Sequence, residues 1–443
     1  MAYCVDIKTL NHEQRASIIK CLTFIYKQDY NDNTVKEPLA FYVVNQHMLS
    51  LPYMFASSYF GIIPNMNHMY HQHTFQFHGT LRENQIPVFD EAKQQLETYG
   101  TTGLYLIVSY GKMIIGTALA AYLKRFTVVL IVNTTLLHQW VTTFTKYTNA
   151  KVCLVDNENE EIDYNQYDVI VCMDTRYHKI PLAVRQKVAT LIIDEAHLFC
   201  TPKRVGCLLG FNPIYIIVET ATPERDDEMH HMIYAMIGSH GIYRNNTKPF
   251  FVHKLLTNTS VERKMTRQQK IDYIKLQNHT LMDKRRNDII VNLVKHHPDD
   301  HILILTSLIN HVHVLYEQIK LFDSCDTMCG NKKSYDDCRV LIGTTHKIGT
   351  GFDQETFCKS YNGVRFNILI LAFSIKKYQM LIQNVGRVLR ADVPHVYHLV
   401  DNDVIFNNHW KKCEQWYKKR AVTLNTINVT DKVIDMDKSI IKI

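Results

Sequence analysis

A chain of 443 residues is too long for one ordinary hydrophobic core and divides into two or three domains. With 46% hydrophobic and 21% charged residues, its composition is that of a globular protein and excludes a disordered or fibrous one. The net charge of +7 admits a polyanionic partner without requiring one.

The chain opens on "MAYCVDIKTLNHEQ", which has no basic stretch followed by an apolar one, so no signal peptide is expected. Residues 1–78 read as a small accessory region. Its aromatic segment "LSLPYMFASSYFGIIP" is expected in a core rather than on a binding surface, and His68, His71 and His73 read as a polar loop. From residue 79 to about 245, short β-branched runs alternate with helical stretches: "LYLIVS", "TVVLIV", "YDVIVCM", "TLIIDE" and "IYIIVETAT". Continuous apolar runs alternating with helices predict a parallel sheet covered on both faces. A polar, basic stretch follows and is read as a linker over 246–280. A second series then occupies 281–443: "HILILTS", "CRVLIGTT", "FNILILAFS" and "HVYHLV", ending in a basic tail, "KKCEQWYKKR". The fold class is therefore α/β: two domains with parallel sheets and helices on both faces, plus the small N-terminal region. In such folds ligands sit at the carboxyl ends of the strands.

The eleven cysteines are scattered without a Cys-x-x-Cys pair. The nearest grouping, Cys325, Cys329 and Cys338, lacks the paired knuckles of a zinc site. Scattered thiols fit a reducing, intracellular compartment. The most membrane-like stretch, residues 104–123, carries Lys112 at its centre. It reads as a strand, a tight loop and a helix with the lysine at the join, so no membrane partner is expected.

Four strand ends carry candidate chemistry. After "LYLIV" come Ser109, Tyr110, Gly111, Lys112 and Met113. Gly111 and Lys112 suit a phosphate cradle, but Ser109 replaces a glycine, and Met113 replaces the hydroxyl residue that ordinarily meets Mg²⁺. "TLIIDEAHLF" puts Asp194 and Glu195 after an apolar strand. A strand-end aspartate can hold Mg²⁺ through water, and a neighbouring glutamate can deprotonate the attacking water. Two buried carboxylates at one strand end are costly unless a cation shares them. Thr220 and Thr222 in "VETATPER" can couple that site to movement. In "YQMLIQNVGRVLRAD", Gln383, Arg387 and Arg390 recur at three- and four-residue spacing, which predicts one helix face.

Taken in order, these stretches resemble the superfamily 2 helicases over about residues 79–400. "GTLRENQ" (79–85) is similar to the family's Q motif, "GKM" (111–113) to motif I and "VNTTLLHQW" (132–140) to motif Ia. "DEAH" (194–197) is similar to motif II, "TAT" (220–222) to motif III, "TTHKIGTGFD" (344–353) to motif V and "QNVGRVLR" (383–390) to motif VI. The "LR-x-x-Q" form and the "GRVLR" ending resemble the DNA-translocating branch, with the XPB-like helicases and the transcript-release helicases of large DNA viruses.

The resemblance implies two RecA-like domains, ATP and Mg²⁺ as cofactors, and catalysis by Lys112, Asp194, Glu195, Arg387 and Arg390, with Asp194 on the metal. It implies nucleotide contacts from Gln85, Ser109, Tyr110, Gly111, Lys112, Met113, Gly351, Asp353 and Gln383. Thr134, His138, Gln139, Thr344 and Thr345 would meet a nucleic-acid backbone. The implied partners are DNA first, RNA as the alternative substrate, and transcription machinery; for a viral source the place is host cytoplasm or virion. The rival expectation, drawn from Met113 and Ser109, is a weakened pseudo-helicase serving as a nucleic-acid clamp.

Overall fold

The computed structural model describes residues 2–30, 33–61, 70–107, 110–155, 162–225, 227–244, 249–266, 268–349, 352–420 and 423–429, and for residues 26–36 the backbone alone. The chain divides into two compact units, 1–245 and 246–443.

The first unit is built on a seven-stranded sheet. Its order is Ile242–Arg244, Thr101–Leu106, Tyr215–Thr220, Thr190–Asp194, Thr127–Ile131, Val169–Met173 and Val152–Val155, and all neighbours are parallel. The central strands bury every residue because each face has its own cover. On one face Leu104, Val129, Ile192 and Ile217 pack under the helices Ile86–Tyr99, Lys112–Leu123 and Thr134–Tyr147. On the other, Tyr105, Val128, Leu191 and Val218 meet the helix His231–Ile237 and residues Phe41 and Tyr53 of the N-terminal region. That region holds a three-stranded antiparallel sheet, a hairpin, and the helices His12–Cys21 and Tyr53–Phe60. Leu49, Leu51, Tyr53 and Ala56 are buried, so the described part of the aromatic segment is core, as expected. The apolar run at 104–123 resolves into the strand Thr101–Leu106 and the helix Lys112–Leu123. Among the described residues no helix is long and apolar enough to cross a membrane.

The second unit has its own seven-stranded parallel sheet, in the order Cys325–Met328, Val340–Thr344, Ile302–Thr306, Ile368–Leu371, His395–Val400, Phe251–Leu256 and Thr423–Asn428. The helices Lys284–His296 and Ile309–Ile319 pack Ile290, Leu293, Val312 and Leu315 on its face. Cys329 belongs to this core and Cys325 packs against it, which gives the cysteine grouping a packing role. One expectation is corrected. The stretch 246–280 is not a plain linker, because Phe251–Leu256 is a strand of this sheet and Tyr273–Leu281 is a helix. The strand escaped notice because its apolar residues are interrupted by His253 and Lys254, although His253 is itself buried.

Candidate nucleotide site and nucleic-acid face

Parallel pairing brings distant segments to one edge of the first sheet. Tyr215–Thr220 lies between Thr101–Leu106 and Thr190–Asp194, so the loop before Lys112, the Glu219–Thr222 turn and the Asp194–Glu195 pair are neighbours. Gly111 holds φ of 92°, a left-handed conformation that favours glycine, and it begins the helix Lys112–Leu123. A Cβ there would run into the side chains of Gln85 and Arg82. Gln85 is buried; its Oε1 accepts from the Arg82 N–H at 2.9 Å and its Nε2 donates to the Tyr110 carbonyl at 3.0 Å. The glutamine thus props the turn that presents Gly111. Lys112 opens the helix, and its Nζ donates to the Leu106 carbonyl at 3.3 Å. Met113 packs against the apolar cluster under this helix. Its thioether does there what a hydroxyl could not, and the metal loses an oxygen ligand. Ser109 lies outside the described residues.

Asp194 is almost wholly buried. Its Oδ2 accepts from the indole N–H of Trp140 and its Oδ1 from the Glu195 N–H, both at 2.9 Å. Burial and the neighbouring Glu195 charge raise its pKa, while Lys112 and these hydrogen bonds pull it back. Glu195 adopts φ of 51°, the strained left-handed region for a residue with a Cβ. Its Oε2 comes within 3.4 Å of His197 Nδ1 and has no hydrogen-bond partner. His197 Nδ1 shares a hydrogen bond of 2.8 Å with Thr220 Oγ1, joining "DEAH" to "TAT". Burial, with Arg225 and Lys112 nearby, lowers the pKa of that imidazole to about 3, so it is neutral.

Two of these residues were missed from the sequence. Trp140 anchors the Thr134–Tyr147 helix to Asp194. Glu219 is wholly buried, pairs in register with Asp194, and packs its Oε1 against Gly116 of the Lys112 helix. Neither of its carboxyl oxygens has a hydrogen-bond partner. Burial and the charges of Asp194 and Glu195 raise its pKa well above the ordinary range. The available signal was a lone acid inside an apolar run, "IYIIVETAT". Three buried carboxyl groups near one lysine, with orphaned oxygens on two of them, are a donor set that fits a divalent cation. Asp194 and Glu195, at the strand end beside Lys112, would meet it.

Thr134 and His138, one turn apart on the Thr134–Tyr147 helix, are exposed, and Gln139 is half-buried. In the second unit, Thr344 and Thr345 are buried, and Thr345 Oγ1 donates to Asn384 Oδ1 at 3.2 Å. Asp353 pairs with Arg390, and its Oδ1 lies 3.7 Å from Arg365. Arg387 donates to the Gly349 carbonyl at 2.6 Å and to that of Phe352. The second unit thus brings the Asp353 segment and both arginines together; Gly351 lies outside the described residues. The expected single helix face is corrected. The helix is Tyr378–Val385 and carries Gln383, whereas Arg387 and Arg390 stand on the turns after Gly386. Those turns close by three-residue bonds, Arg387 N to Asn384 O and Val388 N to Val385 O, both 3.1 Å.

Residues 78–225 match the family model described as "Type III restriction enzyme, res subunit". "Putative helicase 161L" of Invertebrate iridescent virus 6 is 27% identical over 375 residues, 78% of this chain and 82% of that protein. "Transcript termination protein A18" of Fowlpox virus is 22% identical over 290 residues, 57% of this chain and 60% of that protein. Among solved structures, S. cerevisiae Dbp5 bound to RNA and ADP BeF3 aligns with a TM-score of 0.56 at 13% identity, covering 80% of this chain and 92% of that one. The last likeness bears on the fold, two RecA-like domains. With the ordered motifs and the viral relatives, it places the chain among the superfamily 2 helicases.

Proposed function

We propose that the chain is an ATP-dependent translocase or helicase acting on DNA, and that it works in viral transcription or replication inside a reducing compartment. The observation that carries the reading is the juxtaposition of Lys112, Asp194 and Glu195 at adjacent strand ends, beneath a loop propped by Gln85. Gln85 and Gly111 position the nucleotide and Lys112 meets its phosphates. Asp194 holds Mg²⁺ through water, and the ion supplies charge neutralisation at the phosphates when bound. Glu195, whose Oε2 is unpartnered, takes the proton of the attacking water. Arg387 and Arg390 stabilise the charge of the transferring phosphoryl group. Thr134 and His138 touch the strand, and the Trp140–Asp194 bond links that contact to the metal ligand. The transcription role draws on the fowlpox relative, and the preference for DNA on the "LR-x-x-Q" form.

The test is ATP turnover with single-stranded DNA, with single-stranded RNA and with neither, beside Lys112→Ala. Turnover that rises most with DNA and vanishes in the variant is the expected result. Stimulation by RNA alone overturns the substrate, and nucleic-acid binding without turnover overturns the enzyme in favour of a clamp.

A further inference from the structure

The second unit gathers lysines at the carboxyl edge of its sheet. Strand Ile368–Leu371 runs out into Ala372–Lys377, and strand His395–Val400 runs out toward the helix Val404–Lys419. Ser374 Oγ and His409 Nδ1 share a hydrogen bond of 2.8 Å, which pins the first segment to the helix. Lys376 and Lys412 lie near enough to His409 for their charges to oppose its protonation. Lys376, Lys377, Lys411 and Lys412 are all exposed, and none forms an ion pair among the described residues.

The acids in the neighbourhood are occupied. Asp401 is held by Arg286, Asp403 by Arg263, Asp272 by Lys275 and Glu414 by Lys418. The positive charge is therefore not cancelled locally. Its place also matters. All strands of the sheet are parallel, so the segment after Leu371 emerges on the same edge as Thr344, with one strand between them. At about 4.8 Å per strand, the two are roughly 10 Å apart along the edge. Lys377 also directly precedes the Tyr378–Val385 helix, whose Asn384 bonds Thr345 and which leads to Arg387.

We propose that Lys376, Lys377, Lys411 and Lys412 form a second phosphate-backbone site for the nucleic acid, beside Thr344–Thr345 and attached to the helix that leads to Arg387. Lysine ammonium groups act as point charges that follow a backbone without reading its bases, which is what a sliding protein requires. The inference rests on the helicase reading and adds a place where the strand or its flanking duplex is held.

The experiment measures binding of the full chain to a tailed duplex and to a single strand across a salt series, for the wild type and for the variant Lys376→Gln/Lys377→Gln/Lys411→Gln/Lys412→Gln. Each lysine that meets a phosphate contributes about 0.9 to the slope of log K against log salt on duplex and about 0.7 on a single strand. The expected result is a slope reduced by about 2 to 3 and affinity at least about tenfold weaker, with thermal unfolding and turnover without nucleic acid unchanged. The arm that loses more shows whether duplex or single strand is held. Unchanged slopes in a variant that still binds overturn this inference alone. A wild type that binds neither substrate overturns the helicase reading and this site with it.

Discussion

Trp140 donates its indole N–H to Asp194 Oδ2 at 2.9 Å, so a helix that exposes Thr134 and His138 on one side is fastened by another to the proposed metal ligand. The bond favours the ionised carboxylate. Trp140→Phe removes the donor and raises the Asp194 pKa further. The acid limb of the turnover–pH profile is expected to move to higher pH. Turnover at neutral pH is expected to fall about tenfold, in line with about 1.5–3 kcal/mol for a bond to a charged group. Nucleic-acid affinity should stay within a few fold. A pH profile that does not move would remove Trp140 from the coupling.

Glu219 gives the opposite sign from an ordinary surface acid. Its folded pKa is raised, so the native chain keeps a proton that the unfolded chain releases above the usual carboxylate range. Stability falls as pH rises from there, by up to about 1.4 kcal/mol per pH unit. Glu219→Gln keeps the shape of the neutral carboxyl group and removes this loss. The variant should melt higher than the wild type at neutral pH, with the gap widening toward alkaline pH. Melting temperatures measured across pH check it, and a variant that melts lower at every pH would show the group ionised.

Most of the architecture was legible in the sequence because parallel strands covered on both faces must be continuous apolar runs. "TVVLIV" and "TLIIDE" became the buried strands Thr127–Ile131 and Thr190–Asp194 for that reason. The catalytic candidates were legible because chemistry collects at strand ends. What was hidden depends on distance or on exceptions to pattern. Trp140 meets Asp194 across 54 positions, and nothing local to either residue announces it. Strand Phe251–Leu256 carries His253 and Lys254 in its middle, and its burial comes from pairing with His395–Val400 and Thr423–Asn428. Arg387 and Arg390 keep helical spacing, but the helix stops at Gly386.

Buried neutral histidines make the second unit acid-labile. Burial lowers the pKa of His253 to about 4 and those of His311 and His398 to about 3. The unfolded chain takes up these protons below about pH 6.5. Their stabilising effect is therefore complete above that pH and is lost as pH falls toward the folded values, by up to about 1.4 kcal/mol per pH unit for each histidine. The urea midpoint should drop steeply between about pH 6.5 and pH 5. Replacing His398 with Gln should flatten the slope.

The pair Arg286–Asp401 is buried, with Nε to Oδ1 at 2.8 Å, and Thr257 Oγ1 also donates to Asp401, at 2.6 Å. Arg286→Met strands the carboxylate and should cost about 3–5 kcal/mol. Adding Asp401→Leu should recover much of that loss, because the double variant leaves no unpaired charge. Urea unfolding of the two variants measures the difference, and equal losses in both would show that the arginine acts through packing alone.

The most direct measurement on the central claim is single-turnover ATP hydrolysis by Glu195→Gln, alongside its affinities for Mg-ATP and for single-stranded DNA. The account predicts hydrolysis at least about a hundredfold slower, as expected when a positioned general base is removed, with both affinities retained. Hydrolysis at the wild-type rate, still stimulated by DNA, would contradict it: the proton would go elsewhere, and the pair Asp194–Glu195 would not be the hydrolytic centre.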